Sequence, residues 1–247
     1  MNPLAPRYRS ATLAPNLWQL TELGLFNCFL ARSGDDLTLI DTGRPGGAPS
    51  ILAVAARIGA PITRVLLTHV HQDHAGSLDA LATALPDAGL LAPERELPFL
   101  GGDLSLRPGE GESPVRGAWV RAKARPTGFQ PGETVGEFTV LPSPGHTPGH
   151  VSFLHEPSGA LIAGDALQSL GGLAVAGRSR AAWFPFMRWG TWRPDLALES
   201  ARMLAALRPK LVACGHGPAV HDPRTALRAA IEDAERAQRG RVAPGAI

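Results

Sequence analysis

Two rhythms of apolar and polar positions run along the chain, and the points where one gives way to the other outline its elements. The opening third reads as short extended runs, "NLWQLTEL" (16–23), "FNCFLARSG" (26–34) and "DLTLIDTG" (36–43), with "SGDD" as a turn between the second and third. These predict a meander. The period then lengthens: "APSILAVAARIG" (48–59) places apolar residues at 51, 52, 54, 55 and 58 and stops on Gly59, as a helix would. "ITRVLLTH" (62–69) is β-branched and apolar, the pattern of a buried strand, and "DHAGSLDALATAL" (73–85) predicts a helix that "PDAG" ends.

The second half repeats that order. A strand running into a Pro/Gly loop is predicted over 137–146, and strands over 150–156 and 159–167. A helix over 194–208 follows, with Pro194 in its first turn and apolar residues at 196, 198, 201, 203, 204 and 207. A last strand (210–217) and a last helix (223–240) close the chain. Strands then helix, twice over, predict an α/β fold of two β/α halves packed together, although no close sequence repeat relates them. Two stretches break the pattern. Residues 101–135 are rich in Gly and Pro, and 168–193 mixes Gly, Arg and aromatics without a period. Irregular segments of that length serve as lids or binding loops, so 168–193 is expected to be a lid or pocket wall within one domain spanning 1–247.

Composition narrows the class. The chain has 247 residues, 44% hydrophobic and 19% charged, which suits a soluble protein with a substantial core. A net charge of +2 gives no argument for nucleic acid, and the surplus of Arg over Lys is a compositional bias. Cys28 and Cys214 form no CxxC motif, so neither a disulfide framework nor a thiolate cluster is expected, and the compartment read from them is the reducing cytoplasm. The N-terminal stretch has no basic-then-apolar leader, and no apolar run reaches the ~18 residues of a membrane span.

The chemistry gathers at strand ends. Three of the eight histidines fall in "THVHQDH" (68–74), directly after a predicted strand. His69 and His71 would share one face if the strand continues, and could bind one metal ion together. Asp73 and His74, where the chain turns into the next helix, point to a neighbouring position that could bind a second. His146, directly after a predicted strand, and Asp165 and His216, each ending one, are available to complete both positions, and an acid at 165 could bridge them. Imidazoles with carboxylates suit Zn, Fe or Mn better than Ca or Mg.

With these motifs in order, the chain resembles the metallo-β-lactamase superfamily. The resemblance rests on "LIDTG" (39–43), "THVHQDH" (68–74), "SPGHTPGH" (143–150), "IAGDAL" (162–167) and "CGHG" (214–217), and covers roughly residues 16–220. It implies a four-layer αβ/βα sandwich. It implies a first metal on His69, His71 and His146, a second on Asp73, His74 and His216, and Asp165 between them. Two divalent ions are implied, zinc first, with manganese or iron as alternatives. They would hold a bridging hydroxide that attacks a small ester, thioester or lactone, with Asp73 also orienting the nucleophile, as in the glyoxalase II and lactonase-like branch. The glyoxalase II motif has a further His where this chain has Val70, and the homoserine-lactone hydrolases carry a Tyr after the bridging Asp that this chain lacks. A mononuclear iron persulfide dioxygenase of the same fold, a phosphodiesterase, and a metal-binding protein with little catalysis are the alternatives.

Other residues receive roles around that centre. Asp41 is expected to orient a ligand, and His150 to hydrogen-bond locally, while His155 and His221 are read as solvated. Trp183, Phe184, Phe186 and Trp189, with Met187 and Trp192, either line a substrate pocket or pack the loop, and a homodimer face is a further reading of them. Arg178, Arg180, Arg188 and Arg193 could meet a substrate carboxylate or phosphate, and 115–125 is read as a solvated basic face. The partner is expected to be a small molecule, with no nucleic acid and no membrane.

Overall fold

Alternation along the strands explains the layers. In the computed structural model, which describes residues 7–181 and 186–242, seven strands form one sheet in sequence order. They are β1 (Tyr8–Ala14), β2 (Leu17–Glu22), β3 (Phe26–Ser33), β4 (Asp36–Ile40), β5 (Ile62–Leu66), β6 (Gly89–Pro93) and β7 (Thr127–Phe129). Cys28 and Leu30 of β3 face one side, packed with Ile51 and Val54 of helix α1 (Ala48–Ile58). Phe29 and Ala31, one residue out of phase, face the other side and meet the second sheet. Gly59 caps α1 in the left-handed conformation, φ 80°, where the sequence places its stop.

The second sheet holds, in spatial order, β15 (Val220–His221), β14 (Leu211–Cys214), β11 (Ala160–Gly164), β10 (Val151–His155), β9 (Phe138–Pro142) and β8 (Thr134–Val135). Two short strands, β12 (Leu167–Gln168) and β13 (Ala174–Val175), pair apart from it. Ile162 of β11 joins Phe138, Phe153, Phe29 and Leu66 in the core between the sheets. Leu161 and Ala163 join Leu198, Ala201 and Leu204 of one helix (Pro194–Ala206) and Leu227 and Ala230 of another (Arg224–Val242) on the outer face. The order is therefore helix, sheet, sheet, helix, a mixed α/β four-layer sandwich as predicted. The segments that follow β5 in the first sheet and β11 and β14 in the second come together on one side. No helix among the described residues is long and apolar enough to cross a membrane.

Three predictions of local structure need correction. The helix predicted over 73–85 is two, α2 (Gln72–Ala75) and α3 (Leu78–Ala84). Gly76 breaks it, because its N–H donates to Gly43 O (2.9 Å) and a Cβ there would strike Gln72 O and Pro45. Strand β1 was not predicted; it is a mostly exposed edge and lacks an apolar rhythm. His155 is not solvated but 1% exposed on β10, with its Nδ1 2.7 Å from Ser158 Oγ and its ring beside Phe138.

Candidate metal centre

Strand ends supply the cluster. Asp41 follows β4, Thr68 to His71 follow β5, Asp73 and His74 lie in α2, His146 lies between β9 and β10, Asp165 follows β11 and His216 follows β14. Each of these side chains except Asp73 is almost fully buried. The ligand atoms of His69, His71 and His146 lie within 4.8 Å of one another, as do those of His69, His74 and Asp165, and those of Asp73, His74 and His216. Those are the seven residues expected as ligands, in one place. His69 Nε2 and His71 Nδ1 are 3.1 Å apart, and His71 Nδ1 and His146 Nε2 are 3.0 Å apart.

Each ring's outward nitrogen decides what its inward nitrogen can be. The His71 Nε2–H donates to Arg116 O (2.8 Å), and the His216 Nδ1–H donates to Leu25 O (3.2 Å). The His74 Nδ1–H donates to Asp41 Oδ2 (2.8 Å). Thr68 gives its hydroxyl proton to Asp41 (2.8 Å) and so accepts from His69 Nδ1 (3.0 Å). His146 Nδ1 meets Thr191 Oγ1 at 3.1 Å. With the protons assigned outward, His69, His71 and His146 turn lone pairs toward one another at about hydrogen-bond distance. A shared cation or proton is what makes such an arrangement favourable.

Asp165 stands between the two groups. Its Oδ2 is 3.3 Å from His146 Nε2 and 3.2 Å from His216 Nε2, and its Oδ1 is 3.3 Å from His74 Nε2. His74 Nε2 and Asp165 Oδ1 are both buried without a hydrogen-bond partner. Asp73 Oδ2 is 3.4 Å from His216 Nε2. Burial, reinforced by the neighbouring rings, pushes His69 well below the ordinary histidine range, and burial pushes His71 and His146 down against nearby carboxylates. Burial pushes His74 and His216 down as well, but Asp165 and the other acids beside them outweigh it and hold both high. Burial would raise Asp165; His216 and His74 hold it well below the carboxylate range instead. At this end the acids demand positive charge, and a metal ion answers the demand as a proton does.

Residues outside the ligand set shape the same place: Asp41 and His150, to which the sequence gives roles, and Gly117 and Glu96, to which it gives none. Asp41 Oδ1 also accepts the Thr68 N–H (2.8 Å), so one carboxylate holds Thr68 and His74 together. His150 Nε2 accepts the Asp165 N–H (2.9 Å), with its Nδ1 2.8 Å from Ser143 Oγ; burial pushes the ring down to about 3. Residues 115–125 keep Arg116, Arg121, Lys123 and Arg125 exposed, as expected, and also bring the backbone of 116–119 against the motif: Gln72 N–H donates to Ala118 O (2.7 Å), and Gly117, at φ +105°, leaves no room for a Cβ beside His71 Nε2. Glu96, fully buried, accepts the N–H of Val70 (3.2 Å) and of Gly149 (2.8 Å). Burial pushes its carboxyl up to about 7, against the pull of Thr147, Gly149 and Val70.

A cavity of about 510 Å³ opens over the cluster, with Phe26, Arg44 and Trp189 among its walls. Trp189 is 66% exposed, whereas Trp192 is 4% exposed, donates to Ser113 O (2.6 Å) and borders a second cavity instead. Trp183 and Phe184 lie outside the described residues, as do the side chains of Phe186 and Met187. Arg178 and Arg193 are held by Asp233 and Asp195, while Arg188 lines that second cavity, of about 390 Å³, next to Trp189.

Comparison with known proteins adds a family. A model described as the metallo-beta-lactamase superfamily matches residues 23–216. YobT of Bacillus subtilis is 42% identical over 89% of this chain and 96% of its own, and the probable metallo-hydrolase YqjP of the same organism is 29% identical over 84% and 71%. A hydroxyacylglutathione hydrolase of Xanthomonas axonopodis pv. citri is 34% identical over 70% of this chain but 54% of its own, so the chain spans about half of that relative. Among solved structures, DIM-1 metallo-beta-lactamase superposes with a TM-score of 0.68 at 18% identity, covering 94% of this chain and 99% of that one, a likeness of fold. The comparisons lend no support to a homodimer.

Proposed function

The chain belongs to the metallo-beta-lactamase superfamily, and from that premise we propose that it is a metal-dependent hydrolase of small esters, thioesters or lactones with two cation positions side by side. The observation that carries the reading is the set of five imidazoles whose outward nitrogens are engaged and whose inward nitrogens converge on Asp165 and one another. His69, His71 and His146 would hold one divalent ion and Asp73, His74 and His216 the other, with Asp165 reaching both. This donor set suits zinc, with manganese or iron as alternatives. Such ions, when bound, lower the pKa of water toward ~7 and polarise the oxygen of an electrophile.

The remaining work falls to the chain itself. Asp41 and Thr68 fix the rings of His74 and His69, so the ligand nitrogens need no reorganisation. Asp73, with its side chain 30% exposed in the cavity wall, takes a proton from the attacking water and returns it to the departing alcohol or thiol. Water thus adds across the acyl bond, and an acid and an alcohol or thiol leave. Phe26 and Trp189 offer apolar surface to the acyl part. The likeness to hydroxyacylglutathione hydrolases supports an acyl substrate; the half-length match limits that support to the class.

Elemental analysis of the protein as purified, with a panel of chromogenic esters, thioesters and lactones, tests the reading. About two zinc, manganese or iron ions per chain, and turnover of at least one acyl substrate, are expected. One iron per chain with oxygen uptake on a persulfide would replace the reading with a dioxygenase. Fully loaded protein inert toward the whole panel would remove the proposed substrate class.

A further inference from the structure

Glu96 closes a 3₁₀ turn, Glu94–Glu96, directly after β6. It is completely buried, and no Lys or Arg among the described residues forms an ion pair with it; its neighbour Arg95 is taken by Glu110. A carboxylate in that position is costly unless its oxygens are satisfied, so their partners show what holds it there. Oε2 accepts the N–H of Val70, which stands between His69 and His71. Oε1 accepts the N–H of Gly149, in the loop that carries His146. One side chain therefore joins a loop of the first sheet to a loop of the second. A backbone bond from Val151 N–H to Thr68 O (3.0 Å) ties the roots of the same two loops, and Glu96 ties them nearer the histidines. Gly149 is fitted to this contact: a Cβ there would come within 2.8 Å of Glu96 Oε1.

We propose that Glu96 is a positioning residue whose two carboxylate oxygens lock the His69–His71 loop to the His146 loop, setting the spacing at which three imidazole nitrogens share one cation. The proposal rests on the reading of that cluster as a metal centre and goes beyond it. It assigns the spacing of ligands from opposite sheets to a side chain that is not itself a ligand.

Glu96→Gln is the sharp probe, because glutamine keeps the shape but offers one acceptor oxygen and sets an NH₂ group against the other backbone N–H. The full chain, stripped of metal, is titrated with Co²⁺, and affinity, the visible ligand-field band and the metal-free melting temperature are recorded. Wild type is expected to bind at two positions. In E96Q one position weakens by roughly 10–100-fold and its band changes, whatever the shift in metal-free melting temperature. Unchanged affinity with an unchanged band overturns the proposal, and so does a lower melting temperature with unchanged affinity, which is a merely structural role. A wild-type chain that binds no Co²⁺ defeats the metal-centre reading instead, so the two failures are distinct. If E96Q does not fold, deuterium exchange in wild type decides. The Val70 and Gly149 amides should both exchange roughly 100-fold more slowly than an unprotected amide, and rapid exchange at either overturns the lock.

Discussion

The two ends of the histidine cluster use the same ring and hold it in opposite ways. At one end His69, His71 and His146 face one another, their outward nitrogens meeting hydroxyls and a main-chain carbonyl, and burial keeps them neutral. At the other, His74 and His216 stand among Asp41, Asp73 and Asp165, and the acids draw positive charge onto them despite burial. The first end offers lone pairs at fixed spacing and little charge, so it depends on the backbone that sets the spacing. The second offers charge, so it depends on its carboxylates. Geometry should break one end and charge the other.

Asp165 is the residue both ends share, and its loss should do the most. Asp165→Ala removes oxygens 3.2 to 3.3 Å from His216, His146 and His74. Turnover should fall roughly 10³-fold and at least one metal ion per chain should be lost, with folding retained. Metal analysis beside kinetics checks this; two tightly bound ions with near-normal rates would remove Asp165 from its place between the ends.

The neutral end carries a cost that pH exposes. Folding raises the Glu96 carboxyl from its ordinary 4.5 to about 7, which favours its protonated form. The contribution to stability is therefore fully present below about pH 4.5 and is lost as pH rises to about 7, a change of about 3 kcal/mol. Denaturant unfolding of wild type and E96Q from pH 4 to 8 isolates it, since the histidines titrate in both. The stability difference should shift toward E96Q as pH rises, and a constant difference contradicts the assignment.

Gly117 tests spacing without touching charge. At φ +105° an L side chain is strained, and a Cβ would also strike His71 Nε2 and its bond to Arg116 O. Gly117→Ala should weaken the cation position at the neutral end by roughly 10–100-fold while sparing the other. Gly132→Ala, at φ +93° with open space around it, is the control for strain alone. Equal losses in both variants would mean that strain, not displacement of His71, is responsible.

What could be read from the sequence follows the same division. Strands β3, β5 and β11 were legible because their residues face packed layers on both sides, and helix α1 because Gly59 ends it. Strand β1 was not, since an exposed edge needs no apolar rhythm, nor was the break at Gly76, which contacts with Gly43 and Pro45 impose. The convergence of His69, His71, His74, His146, Asp165 and His216 could be anticipated because each follows a strand or, for His74, sits in the helix that opens next, and keeps a motif's spacing. Glu96 and Gly117 could not. In "PERELPFL" a glutamate looks like surface charge, and in "VRGAWV" a glycine looks like a turn. Their effects arise only when segments distant in sequence come together, Glu96 with the amides of Val70 and Gly149, Gly117 with the ring of His71.

The smallest break is at the charged end and changes a single proton's place. Asp41 sits at φ +59°, a conformation asparagine also tolerates, so Asp41→Asn should keep the backbone. Its Oδ1 can still accept the Thr68 N–H, which leaves an NH₂ where Oδ2 accepted the His74 Nδ1–H. A donor now faces a donor. His74 can relieve the clash by moving its proton to Nε2, the nitrogen that points at Asp165, and there it occupies the space a cation would take. Cation affinity at this end should fall about tenfold while the neutral end holds. Ring ¹⁵N shifts of His74 in the metal-free variant, recorded at a pH high enough that the ring has lost its second proton, report the tautomer directly. Protonation that remains on Nδ1 together with weaker binding would show that Asp41 acts through its charge alone, and not by choosing which nitrogen faces inward.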